Sequence, residues 1–242
     1  MAYTFYLTVE KPMVPEQDFH FANETLEVDY SRLHPAPLIV DDEHKTLIVL
    51  GTIIDRGKVL SQDQIAAFDL SRIEQDIKNF NGQFAIYYLE KSRRHFHAFT
   101  DRTASYPIFY FQDGPALTCS LSYSDIWKRD VDIEDINKDA FYEFLILRRL
   151  MGVKTYDHKT QYLSSFSHLF FNLNAQSLQV ERYDTLDFEK FPHSFNKQAK
   201  SLAERIKQAI ESRTSDAKQY GLMLSGGMDS RVPMAVKKGV FT

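Results

Sequence analysis

Residues 83–89, 95–100, 108–111 and 117–120 are four strand-like runs in quick succession, and they limit the folds open to this chain. Their linkers contain Lys-Ser-Arg-Arg, Asp-Arg-Thr-Ala-Ser-Tyr-Pro and Gln-Asp-Gly-Pro. Such linkers turn the chain but are too short for a crossover helix, so the runs form an antiparallel meander. Residues 4–9 and 45–54 add two strands, with Gly51 a bulge or a point of close approach. Residues 168–173 and 177–182, joined by Asn-Ala-Gln, add two more. Residues 11–37 hold Pro12, Pro15, Pro35 and Pro37 and read mainly as loop. The chain carries 19 Phe and 13 Tyr, many in alternating runs, which suits buried sheet faces better than a base-stacking platform.

Helical spacing appears three times. A helix is expected from Ser71, which stands in capping-box relation to Glu74, with Ile73, Ile77 and Phe80 on one face and Asn81-Gly82 as its stop. Residues 138–150 place Phe141, Phe144, Leu145 and Arg148 along one stripe. After Pro192, residues 195–213 align Phe195, Ala199, Leu202, Ile206 and Ile210. The expected organisation is an α+β domain over residues 1–192, a connecting helix over 193–218, and the first β-α unit of a parallel α/β domain over 219–242. One strand and one helix cannot cover a parallel strand on both faces. The expectation is therefore a piece of a longer protein, or a tail packed on the first domain or on a partner.

That last unit carries the chemical signal. Leu222, Met223 and Leu224 form a short apolar run expected as a buried strand, followed by Ser225-Gly226-Gly227-Met228-Asp229-Ser230 and a helix over residues 231–238. A helix N-terminus presents unpaired N–H groups and a favourable dipole to an anion. Gly226 and Gly227 let backbone approach phosphate oxygens, while Ser225 and Ser230 add hydroxyl donors. Asp229 would order the loop or meet Mg²⁺. Pro233 is harmless only in a first helical turn, which puts the helix start at or near Ser230. No Gly-Lys-Ser/Thr follows, so this is not a Walker loop. The competing reading is a glycine-rich turn without a ligand.

Net charge is −4 without a long single-sign run, which argues against a nucleic-acid or anionic-membrane surface. No apolar run approaches the ~18 residues of a membrane span, and no leader is evident, so the chain is read as cytoplasmic. Cys119 is the single cysteine, expected buried and inert. His95 and His97 share a strand face and could bind metal, but a solvated face is the commoner meaning. Asp101-Arg102 is expected as a structural ion pair at a strand end, and Asp41-Asp42-Glu43 and Arg93-Arg94 as hairpin turns.

Leu-Ser-Gly-Gly-Met-Asp-Ser-Arg at 224–231 resembles the pyrophosphatase-type loop of the asparagine synthetase family. Asn81-Gly82-Gln83-Phe84-Ala85 resembles that family's Gly-x-Phe-Ala strand entry, and residues 100–110 its Arg-Asp-Arg-x-Gly-x-x-Pro-Leu-Tyr-Tyr segment. The resemblance implies an N-terminal αββα glutaminase sandwich of the Ntn type joined to an ATP-dependent amide-forming domain. It implies ATP and Mg²⁺ as cofactors, held by Ser225, Gly226, Gly227, Asp229 and Ser230. The partners implied are a small-molecule carboxylate and ammonia or an amine, with a homodimer as the candidate assembly. Two departures matter. The family's cysteine nucleophile at residue 2 is Ala2 here, and the asparagine of its oxyanion-forming Asn-Gly is Leu50 before Gly51. No glutaminase activity is expected. The alternative is a non-catalytic binding or scaffold module that keeps the glutaminase-type shell.

Overall fold

The computed structural model describes residues 3–6, 19–22, 26–30, 37–187, 194–216, 218–224, 227–237 and 239. The chain divides into two compact units, residues 1–51 with 83–184 and residues 52–82 with 185–242.

The first unit is built mainly from antiparallel sheets, with one parallel pair in the small N-terminal sheet. β1 (Tyr3–Tyr6) pairs in parallel with β3 (Leu26–Tyr30), and β2 (Phe19–Ala22) pairs with β3 antiparallel. β2 and β3 lie where loop was expected. The prolines at either end masked the strict alternation of Leu-Glu-Val-Asp-Tyr. β4 (Leu38–Asp41) and β5 (Lys45–Asp55) form a hairpin whose turn is held by the Asp42 carboxylate, which accepts from the N–H groups of His44 and Lys45. β7 (Asn81–Glu90) and β8 (His95–Thr100) form the next hairpin, with Arg94 at φ 56° in its turn. β9 (Ile108–Asp113), β10 (Ala116–Ser120) and β11 (Gln161–Leu163) form a separate sheet in the order β10-β9-β11. β12 (Ser167–Asn172) and β13 (Ser177–Arg182) extend the larger sheet, which runs β13-β12-β8-β7-β5-β4. One apolar core joins the two sheets. Leu50, Tyr87, Phe96 and Leu169 from the larger meet Ile108, Tyr110, Cys119 and Leu163 from the smaller. Antiparallel sheets with segregated helices make this an α+β arrangement, as expected.

α3 (Tyr123–Asp130) packs on β10, and α4 (Lys138–Leu147) is capped by Asn137 and ends at Arg148 in the left-handed region. The stripe expected on α4 is not buried. Phe141, Phe144 and Leu145 are exposed, Leu145 by 62%, and Ala140 is the buried residue of the helix.

The second unit holds β6 (Lys58–Val59), α1 (Gln62–Ala66) and α2 (Leu70–Asp76). The capping box belongs to Ser61 and Gln64 on α1, not to Ser71 and Glu74; α2 is capped by Asp69, whose carboxylate accepts from the Arg72 N–H. Ile73, Ile77 and Phe80 are buried as expected, and Phe80 stacks on Phe68 at 5.6 Å. Asn81-Gly82 opens β7 instead of closing a helix. Gly82 has φ 112°, and a Cβ there would lie 2.0 Å from the Thr52 carbonyl oxygen. α5 (Phe195–Arg213) has the expected limits, yet Phe195, Leu202 and Ile206 on its apolar side are exposed. α6 (Val232–Val236) follows a 3₁₀ turn at Asp229–Arg231. No described helix is long and apolar enough to cross a membrane.

The buried Asp101 carboxylate ties the first unit together at the end of β8. It accepts from the N–H groups of Phe84 (2.8 Å), Thr103 (2.7 Å) and Ser105 (3.2 Å) and from the Thr103 hydroxyl (3.0 Å). Asp101→Ala would orphan these donors, each costing about 1–3 kcal/mol. Urea denaturation should show a loss of about 3 kcal/mol or more, and a midpoint equal to the parent's would contradict this account.

Candidate functional site

The turn near the C-terminus is partly described: Ser225 and Gly226 lie outside the described residues. Residues 221–224 do not form the expected buried strand. Met223 is 93% and Leu224 58% exposed, because a strand needs paired neighbours and these residues have none among the described residues. The helix side of the motif holds better. The 3₁₀ turn begins at Asp229, and Pro233 stands in the first turn of α6 where its missing N–H costs nothing. α6 is shorter than the helix anticipated over 231–238. Gly227 and Asp229 are exposed, and the Ser230 hydroxyl points back to the Gly227 carbonyl at 3.4 Å.

The glutaminase-like residues fall in the first unit, with Ala2 outside the described residues. Leu50 is 3% exposed and its side chain belongs to the shared core of the two sheets. Gly51 has φ 81°, and a Cβ there would lie 2.1 Å from the Gln83 carbonyl oxygen and 2.6 Å from the Tyr106 ring. The chain therefore needs glycine here on backbone grounds alone, and Tyr106 covers the position. Burial first, then the neighbouring Asp101, raise the Tyr106 phenol above its ordinary range. Tyr106 belongs to the 100–110 segment, whose pattern alone assigns it no role. Asp101 is structural, but through other partners than the expected ion pair: its oxygens accept from the Phe84, Thr103 and Ser105 N–H groups and the Thr103 hydroxyl, while the Arg102 guanidinium lies 6.0 Å over the Phe166 ring. Cys119 is buried, which raises its thiol pKa and leaves it inert.

His97 overturns the solvated reading, whereas His95 stays partly exposed beside Glu90. His97 is 4% exposed, and its Nδ1 lies 2.9 Å from Nε2 of His168 on the neighbouring strand β12. The rings are nearly parallel with centroids 5.2 Å apart, as an in-line N–H···N bond requires. His168 Nδ1 faces Glu181 at 3.6 Å, which favours a proton on that nitrogen. His97 Nδ1–H then donates to His168, leaving His97 Nε2 buried without a hydrogen-bond partner among the described residues. The sequence hid this pair because its members are far apart in the chain.

No family model matches the chain. It is 25% identical over 168 residues to a protein of Methanocaldococcus jannaschii described as putative asparagine synthetase (glutamine-hydrolyzing) 2. The match covers 67% of this chain and 32% of that protein, so the chain spans about a third of the length of the curated relative it matches. The relation is distant, and it agrees with the resemblance carried by the glycine turn and the two sheet segments.

Two measurements test this geometry. Gly51→Ala combines a left-handed φ with a backbone clash and should cost about 3 kcal/mol or more; thermal unfolding close to the parent's would refute the close approach. Burial, then His168 and His95, push His97 from 6.5 down to about 3. The unfolded chain thus binds more protons between those values, and stability falls as pH drops through that window. His97→Phe should flatten the acid-side loss, read from urea midpoints at several pH values; an unchanged slope would assign the loss to other groups.

Proposed function

We propose that this chain is the N-terminal portion of an asparagine synthetase-like, ATP-dependent amide-forming ligase whose glutaminase-like region does not hydrolyse glutamine. The observation that carries the reading is the Ser225–Ser230 motif running into a helical turn, with Pro233 where a helix start tolerates it. The distant likeness to a glutamine-hydrolyzing asparagine synthetase supports it. The described loop residues fit a magnesium nucleotide in kind. Asp229 offers exposed carboxylate oxygens to a hard cation, while Ser230 brings a hydroxyl and Gly227 unshielded backbone. With Ser225 and Gly226 they would form the phosphate cradle. Bound there, ATP would supply the activation of a carboxylate, which ammonia or an amine converts to an amide.

Inactivity of the glutaminase-like region follows from chemistry. Ala2 has no nucleophile, Leu50 cannot donate a hydrogen bond, Tyr106 covers Gly51, and the Cys119 thiol is buried. A second reading, a non-catalytic contact module, is favoured by the exposed apolar side chains of Leu145, Ile146 and Ile133.

Incubation with glutamine should release no glutamate above the blank, and Ala2→Cys should stay silent too; release by the parent would overturn the predicted inactivity, and release by Ala2→Cys the blocking role given to Leu50 and Tyr106. Calorimetric titration with Mg-ATP should give saturable binding that Asp229→Asn and Ser230→Ala weaken about tenfold. Absence of binding by the folded parent would favour the contact module.

A further inference from the structure

A cavity of about 340 Å³ opens on the first unit, on the face of β9 and β11 away from the core. That volume lies within the range of small-molecule sites. Four of its walls are aromatic: Phe109, Tyr123, Tyr156 and Tyr162. Phe109 and Tyr162 are register partners on β9 and β11, Tyr123 begins α3, and Tyr156 precedes β11. Neighbouring rings stand close and tilted. Phe109–Tyr123, Phe109–Tyr162 and Tyr123–Tyr156 have centroid separations of 5.4, 5.6 and 6.0 Å and interplanar angles of 51°, 47° and 50°. All four rings line this one space.

Charge decides what such a space prefers. Ring faces carry the negative end of the aromatic quadrupole and attract cations within about 6 Å of the centroid. Lys154 also lines the cavity, but its ammonium is paired with Glu143 and adds no net charge with that partner. The Tyr123 hydroxyl donates to the buried Asp157 carboxylate at 2.7 Å, which enriches the Tyr123 ring and leaves one further negative charge beside the wall. We propose that this cavity binds a small quaternary or N-methylated ammonium group, held against the faces of Phe109, Tyr123, Tyr156 and Tyr162. This site is independent of the ATP-dependent reading above.

The chain has a single tryptophan, Trp127, whose ring lies 5.9 Å from that of Tyr123, so its emission reports on the cavity. Choline titrated into the 242-residue chain should change that emission saturably. Its uncharged carbon isostere, 3,3-dimethylbutan-1-ol, should bind about tenfold more weakly or not at all. Tyr156→Leu should weaken choline about tenfold while leaving the isostere unaffected, with unchanged far-ultraviolet circular dichroism showing that the fold survives. Lys154→Met, which frees the Glu143 carboxylate, should tighten choline binding several-fold. Equal affinity for choline and its isostere, no saturable response in the folded parent, or loss of choline binding in Lys154→Met would overturn the proposal.

Discussion

A buried carboxylate at the end of β8 holds the first unit in register. Asp101 is 1% exposed and accepts from backbone N–H groups on both sides of it in sequence, at Phe84 on β7 and at Thr103 and Ser105 in the following turn. Its own carbonyl accepts from the N–H groups of Ala104 and Phe166, and the Tyr183 hydroxyl donates to the adjacent Thr100 carbonyl at 2.5 Å. A carboxylate is desolvated at this depth only because several donors converge on it. The turn that carries Tyr106 to Gly51 is the one Asp101 organises, so the closure over the glutaminase-like position depends on this residue.

That closure separates scaffold from chemistry. The two sheets need the strand containing Leu50-Gly51 for their shared core, since Leu50 fills the interior and Gly51 lets the Gln83 backbone and the Tyr106 ring approach. Leu50 can therefore serve packing whether or not the position works in catalysis. The turn around Asp229, on which the proposed ATP-dependent reading rests, keeps the Asp229 carboxylate exposed without a core around it. The aromatic cavity on the outer face of β9 and β11 uses the side chains opposite to those in the core, as strand alternation allows.

Much of the fold was legible because its signals are local. The runs of β5, β7, β8, β9, β10, β12 and β13, and the limits of α5, follow from periodicity and turn chemistry within a short window. β2 and β3 were hidden by flanking prolines. The cap of α2 went to Asp69 because its carboxylate reached the Arg72 N–H, a choice between neighbouring candidates that spacing alone does not make. The candidate loop was legible as a motif. The strand ahead of it was not realised, because pairing is a tertiary event.

The sequence by itself determined the α+β class, the antiparallel hairpins β7-β8 and β9-β10, and the inert Cys119, but not that the expected four-strand meander divides between two sheets. Each rests on residue type and spacing within a few positions. Only the tertiary structure decided that His97 meets His168, that Tyr106 packs against Gly51, that the apolar faces of α4 and α5 stay exposed, and that four aromatic residues line one cavity. These contacts join residues distant in the chain, and their energies depend on burial and ring orientation, which a one-dimensional pattern does not contain.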